Sequence, residues 1–218
     1  MSLCLFSRRS LGLTRARSRG LVLLGAAASA LTLSLVSSGA ADAALISTSA
    51  CDGSALSEPF AQFNDHSSYK LVPGGDFEGA LTGWSISGNA GVVGGSEPFN
   101  ATGTAGSRSL RLSAGASAQS PWTCVNAAYP TFRFFAHNDN LLSTVLVQVV
   151  YRNLLGLQVS VPVGAVALST SWHPTLPMLT TSALPAAVAN GTAQIALRFT
   201  ALTGSSEIDD VYVDPRCT

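Results

Sequence analysis

"LVPGGDFEGALTGWSISGNAGVVGG", residues 71–95, holds eight glycines, one tryptophan and two acids, Asp76 and Glu78. A phosphate-binding loop needs G-x-x-x-x-G-K-[ST], because its lysine and hydroxyl meet phosphate and magnesium. Here the only lysine of the chain, Lys70, precedes the glycines. A dinucleotide fold needs G-x-G-x-x-G between a strand and a helix, and neither the spacing nor the helix pattern is present. A flexible linker would not carry Phe77, Leu81, Trp84 and Ile86. Strand, turn, strand is the reading that remains. Residues 69–73 open a sandwich, 74–83 turn, and 84–88 begin the next strand, with glycine supplying positive φ in the turns.

The rest of the chain agrees. Sustained helical spacing is missing after residue 43, apart from one short turn at 184–190. Strand alternation is common. Residues 144–152 put Val145, Val147, Val149 and Tyr151 on one side, and Leu146, Gln148, Val150 and Arg152 on the other. Residues 192–201 put Ile195, Leu197 and Phe199 opposite Gln194, Ala196, Arg198 and Thr200. Residues 131–138 alternate too, and 109–113, 158–163 and 207–214 read as further strands. Short alternating strands separated by Gly, Ser, Asn and Pro predict an all-β, two-sheet antiparallel sandwich.

The first 43 residues read as a secretory signal peptide. Five arginines (Arg8, Arg9, Arg15, Arg17, Arg19) precede an apolar run at 21–36, and Ala41-Asp42-Ala43 makes a small-x-small cut site. The 16-residue apolar run is short for a membrane span, which needs about 20. Ser7-Arg8-Arg9 also resembles a twin-arginine signal, so the export route stays open. Beyond residue 43, seven basic side chains face eleven acidic ones, a net charge of −4. That balance argues against nucleic acid and against an anionic membrane surface, and suits a secreted, extracellular monomer. An N-terminal extension at 44–68 and one domain at 69–216 are expected. Three cysteines remain after the cut: Cys51, Cys124 and Cys217. An oxidising compartment allows one disulfide and one leftover. Cys51–Cys124 is the expected pair, because Cys217 is penultimate, where chains fray.

Gly75-Asp76-Phe77-Glu78-Gly79, followed by Gly83-Trp84, resembles the N-x-x-F-E-x-G…G-W opening of jelly-roll, galactose-binding-like carbohydrate-binding modules. Ile208-Asp209-Asp210-Val211 is similar to the I-D-D-V strand that closes them, and Ser109-Leu110-Arg111-Leu112 to their S-L-x-L strand. The match spans about residues 69–215. The middle of the chain and its ending also resemble a group of secreted actinobacterial proteins, a likeness that carries no activity. The first resemblance implies a jelly roll with a structural calcium. Its ligands would be Glu78, the carbonyl of Asp76, and Asp209 or Asp210, all hard oxygen donors. The alternative is that these acids are solvated turn residues and backbone caps.

A second constellation comes from strand parity. Arg133, Phe135 and His137 share one face of residues 131–138. Gln148 and Arg152 share the polar face of 144–152, and Gln194 and Arg198 that of 192–201. If the three strands lie in one sheet, they present arginines and amides beside an aromatic ring, a surface suited to sugar hydroxyls. The alternative is an ordinary water-facing side of an antiparallel sheet. Trp84 reads as core, Trp122 as packing near Cys124, and Trp172 as a loop residue that could stack on a sugar or anchor a minor cluster.

Catalytic signals are sparse. There is no G-x-S-x-G and no H-E-x-x-H. Asp209 and Asp210 are adjacent in a strand and should point to opposite faces, so they are not expected to face one another. The leading expectation is a non-catalytic module that binds a polysaccharide or cell-envelope glycan. A structural or protein-interaction module, cross-linked through Cys217, is the alternative. A small glycoside hydrolase or lyase stands behind both.

Overall fold

The computed structural model describes residues 55–126, 131–139, 142–153, 155–180 and 192–214. The expected signal peptide, Cys51, Cys217 and the turn at 184–190 lie outside the described residues. The chain divides into two compact units, Met1–Ser37 and Ser38–Thr218, and all that follows concerns the second.

Among the described residues the strands are β1 (Lys70–Leu71), β2 (Ser85–Ser87), β3 (Ala90–Gly94), β4 (Arg108–Leu112), β5 (Ser117–Gln119), β6 (Thr123–Asn126) and β7 (Thr131–Asn138). They continue with β8 (Thr144–Arg152), β9 (Gln158–Ala167), β10 (His173–Pro174), β11 (Met178–Leu179), β12 (Thr192–Thr203) and β13 (Ser206–Asp214). Two antiparallel sheets form a jelly-roll sandwich. One runs β10-β7-β13-β4-β3, with β1 on β13 and β11 on β7. The other runs β2-β5-β12-β8-β9, with β6 beside β5 on β12.

Period-2 alternation turns one side of each strand inward. Phe132 and Phe134 of β7, Leu110 and Leu112 of β4, and Ile208, Val211 and Val213 of β13 meet Val145, Val147 and Val149 of β8 and Ile195, Leu197 and Phe199 of β12. The opening hairpin joins this core. Trp84 lies 5.0 Å from Phe77, and its Nε1 donates to the Pro73 carbonyl at 3.0 Å. Gly75 is where only glycine fits, since a β-carbon there would sit 2.9 Å from the carbonyl oxygens of both Val72 and Val211.

The beginning and end of the domain are therefore neighbours. The Val72 amide donates to Val211 at 2.9 Å, and the Val211 amide donates to Gly75 at 3.0 Å. β1 pairs with β13 through Lys70–Val213 and Leu71–Tyr212.

One expectation is corrected. Residues 131–138 do not share a sheet with 144–152 and 192–201. β7 pairs with β13, while β8 and β12 pair with each other in the opposite sheet. Alternation fixes which side of a strand a residue takes, but strand pairing fixes which sheet the strand joins.

Candidate functional site: the outer face of the six-stranded sheet

β12 is the spine of this sheet. Its one edge pairs with β6 and β5 in succession, the other with β8. Between β5 and β6 the chain passes through Ser120-Pro121, and proline has no amide for the ladder. Ser120 fills the gap, since its Oγ accepts the Leu197 amide at 2.9 Å. This break releases Trp122 to the flank of the sheet, half-buried, with the Arg152 guanidinium 4.7 Å from its ring centre.

Inward residues of β12 and β8 fill the core, so Gln194, Arg198, Gln148 and Arg152 stand on the outer face. Register makes them a pattern. Arg198 lies opposite Gln119 on one side and Gln148 on the other, and Gln119 opposite Ser85. Ser85, Gln119, Arg198 and Gln148 thus form a polar row across four strands. Arg198 donates through Nε and Nη2 to Gln119 Oε1, at 3.2 and 2.6 Å. In the row beyond, Ala196 and Val150 face each other and are fully buried. Past them, the register that pairs Ile195 with Tyr151 sets Gln194 opposite Arg152. The face carries two polar patches, Gln119–Arg198–Gln148 and Gln194–Arg152–Trp122. Gln119 escapes a sequence reading because β5 is too short to show a period, and Trp122, read as packing near Cys124, lies in the connection before β6, where no period places it on the sheet.

Arg133, Phe135 and Trp172 lie elsewhere. Arg133 and Phe135 are on the outer side of the other sheet, covered by the segment before β1. Phe60 stacks on Phe135 at 5.4 Å, and the Arg133 guanidinium lies 4.3 Å from the Phe60 ring centre. Arg133 is 5% exposed and paired to Asp65 at 2.6 Å. Burial alone would raise the Asp65 carboxyl, but hydrogen bonds from Tyr69 and Arg133 hold it below its usual range. Trp172 sits on His137, ring centres 4.2 Å apart. His137 in turn meets Glu207, which also binds Arg111. These groups build a covered flank, and none reaches the face of the six-stranded sheet.

The acids of the end motifs also come together. Glu78 accepts from Ser107 Oγ at 2.7 Å and the Arg108 amide at 2.8 Å. Asp209, 1% exposed, accepts from Ser96 Oγ at 2.7 Å and the Glu97 amide at 3.0 Å. Burial pushes its carboxyl up to about 7, against these donors. The expected opposite orientation of Asp209 and Asp210 does not hold. The β7–β13 register shifts between Asp209 and Tyr212, and Asp210 takes a left-handed backbone, φ 47°. Both aspartates then meet Glu97, a buried acid that sequence reading passed over. Burial, then the charges of Asp209 and Glu97, push Asp210 up to about 9, with Asp76 also contributing. Cys124 is disulfide-bonded, and it is the one cysteine among the described residues.

A scan against protein-family models and a search of curated proteins returned no match. Solved structures similar to the chain include the CBM22-1–GH10 modules of Clostridium thermocellum xylanase 10B complexed with xylohexaose, at 17% identity and TM-score 0.44. That match covers 65% of this chain and 27% of the other, so the chain spans about a quarter of that structure's length. TmCBM61 in complex with β-1,4-galactotriose is similar at 17% identity, covering 67% and 98%, with TM-score 0.42. The family 11 carbohydrate-binding module of Clostridium thermocellum, in complex with a β-1,3-1,4-mixed-linked tetrasaccharide, is similar at 12% identity, covering 68% and 96%, with TM-score 0.43. What those proteins hold is a property of those proteins.

Proposed function

We propose that this is a secreted, non-catalytic module that binds a polysaccharide or cell-envelope glycan on the outer face of the six-stranded sheet. The observation that carries the reading is the registered row Gln119–Arg198–Gln148, flanked by Arg152 over Trp122. Planar amides and guanidinia offer paired donors and acceptors at fixed spacing, which matches vicinal sugar hydroxyls. A face built on regular strands holds such groups with little ordering cost on binding. The basic leader and the Ala41-Asp42-Ala43 site support export.

Affinity electrophoresis against a panel of soluble polysaccharides tests the reading. At least one polysaccharide retards the protein, and Gln148→Ala and Gln194→Ala each weaken retention about fivefold, a loss near 1 kcal/mol. Absence of retardation by any glycan overturns it.

A structural calcium is the second part of the proposal. The donor set fits in one respect. A β-carbon at Gly106 would lie 2.2 Å from Ser96 Oγ and 3.1 Å from Glu78 Oε1, and Ser96 Oγ already touches Asp209. Glu78, Ser96 and Asp209 therefore converge with hard oxygens only, and the groups that donate to the buried Asp209, the Ser96 hydroxyl and the Glu97 and Asp210 amides, are neutral. Among the described residues no three His, Cys, Asp or Glu side chains gather closely enough to hold a metal, so serine and backbone oxygens would have to complete the shell. Bound there, calcium would tie the opening hairpin to the closing strand. Asp210 meets Glu97, and Asp76 acts on Asp210 through its charge.

A further inference from the structure

The two sheets differ in charge. No aspartate or glutamate lies on any strand of the six-stranded sheet, whereas β13 of the other sheet carries Glu207, Asp209, Asp210 and Asp214. Two arginines, Arg152 and Arg198, stand on the acid-free sheet, in a chain that is net negative beyond residue 43. Of the three arginines on the other sheet, two are ion-paired, and Arg108 is exposed at the start of β4. Arg111 meets Glu207 and Asp139, and Arg133 meets Asp65. Arg152 and Arg198 have no carboxylate partner among the described residues.

Both are nevertheless held in place. Gln119 Oε1 takes two donors of Arg198, Nε and Nη2, and fixes the guanidinium plane. Its Nη1 donors have no partner among the described residues. The Arg152 guanidinium lies over Trp122, and it too makes no hydrogen bond to a described residue. A guanidinium with a preset plane and unspent donors is poised for a carboxylate, which it grips as a charge-assisted, often forked pair. An arginine with no such task more commonly points freely into water or pairs with a surface acid.

We propose that the ligand of this face is an acidic polysaccharide carrying uronate carboxylates, with one carboxylate at Arg198 and another at Arg152. This deepens the glycan-binding reading above and rests on it. Arg198 lies opposite Gln148, and four residues of β8 separate Gln148 from Arg152, roughly 13 Å at 3.3 Å per residue. A single monosaccharide cannot reach both cations, so affinity depends on chain length. The Ala196–Val150 pair between the patches is fully buried and offers the glycan no contact.

Isothermal titration of the purified protein with matched polymer pairs tests this. Each pair is a uronate polymer (polygalacturonate, alginate or hyaluronate) and the same polymer after its carboxyls are reduced to alcohols. The expected result is that an acidic member binds, its reduced counterpart binds at least about tenfold more weakly, and Arg198→Gln and Arg152→Gln each cost about tenfold, a loss of about 1.4 kcal/mol. A hexasaccharide of the bound polymer should outbind its disaccharide, and affinity should fall as salt rises from about 0.05 to about 0.5 M. Arg152 is exposed, so its variant reports on binding even if Arg198→Gln disturbs the sheet. If acidic and reduced polymers bind alike, the charge assignment fails while the glycan reading survives. If neither member of any pair binds and no neutral glycan does, both fail. Equal binding of inorganic polyphosphate overturns the carboxylate assignment in favour of a nonspecific cationic face.

Discussion

Arg133 shows how one residue can hold an extension to a sheet. Its guanidinium is buried between Asp65 and the Phe60 ring, and its Nε donates to the Thr175 carbonyl at 2.7 Å. Removing the acid leaves a buried cation unpaired, so Asp65→Asn should cost about 3–5 kcal/mol in urea unfolding at pH 7. The sign of the pH effect follows from the lowered Asp65 carboxyl. Its stabilising contribution is complete above the unfolded value, about 3.9, and is lost as pH falls through the lower folded value. Asp65→Asn should lack that acid-side slope. An unchanged slope means that other carboxylates govern acid unfolding. Trp84 is the second pivotal residue. Trp84→Ala removes contacts with Phe77 and Phe199 and the bond to Pro73. A loss of about 3–5 kcal/mol is expected, and a melting shift of a degree or two would show that the hairpin is held by other means.

At the scale of elements, β13 and β12 behave differently. β12 is regular until the shift near Ala201–Thr203, and its parity could be read from alternation alone. β13 is interrupted after Asp209, and Asp210 adopts φ 47°. A left-handed backbone tolerates Asn and Asp but strains β-branched side chains. Asp210→Asn should therefore leave stability within about 1 kcal/mol, while Asp210→Val should cost at least about 2 kcal/mol. Equal effects of the two would locate the demand in the carboxyl rather than the backbone. The interruption also explains why adjacent aspartates meet one acid, Glu97. Strict alternation forbids that arrangement, and a bulge permits it.

For the whole molecule, closure of the sandwich brings residue 72 against residue 211, and with it the two acid-bearing motifs. If calcium bridges Glu78 and Asp209, adding about 1 mM calcium after chelation should raise the melting temperature by several degrees, through preferential binding to the folded state. Glu78→Gln and Asp209→Asn should each abolish the increment. Calcium-independent melting of the unaltered protein removes the metal from the account.

The sequence by itself determined the fold class, the inward faces of β8 and β12, and the meeting of the Phe-Glu opening with the Asp-Asp ending. Those follow from local period, from turn glycines, and from motifs that sit at fixed places in a jelly roll. It also supplied Gln148, Arg152, Gln194 and Arg198, whose parity is visible within one strand. Tertiary structure alone decided which strands share a sheet. It removed Arg133 and Phe135 from the face and buried them under residues before β1. It also brought in Gln119 from a strand too short to show a period and Trp122 from the connection before β6, and turned Asp210 beside Asp209. The physical reason is common to all of these: alternation is a property of a single strand, while sheet partnership, cover and bulges arise from long-range pairing that no local pattern encodes.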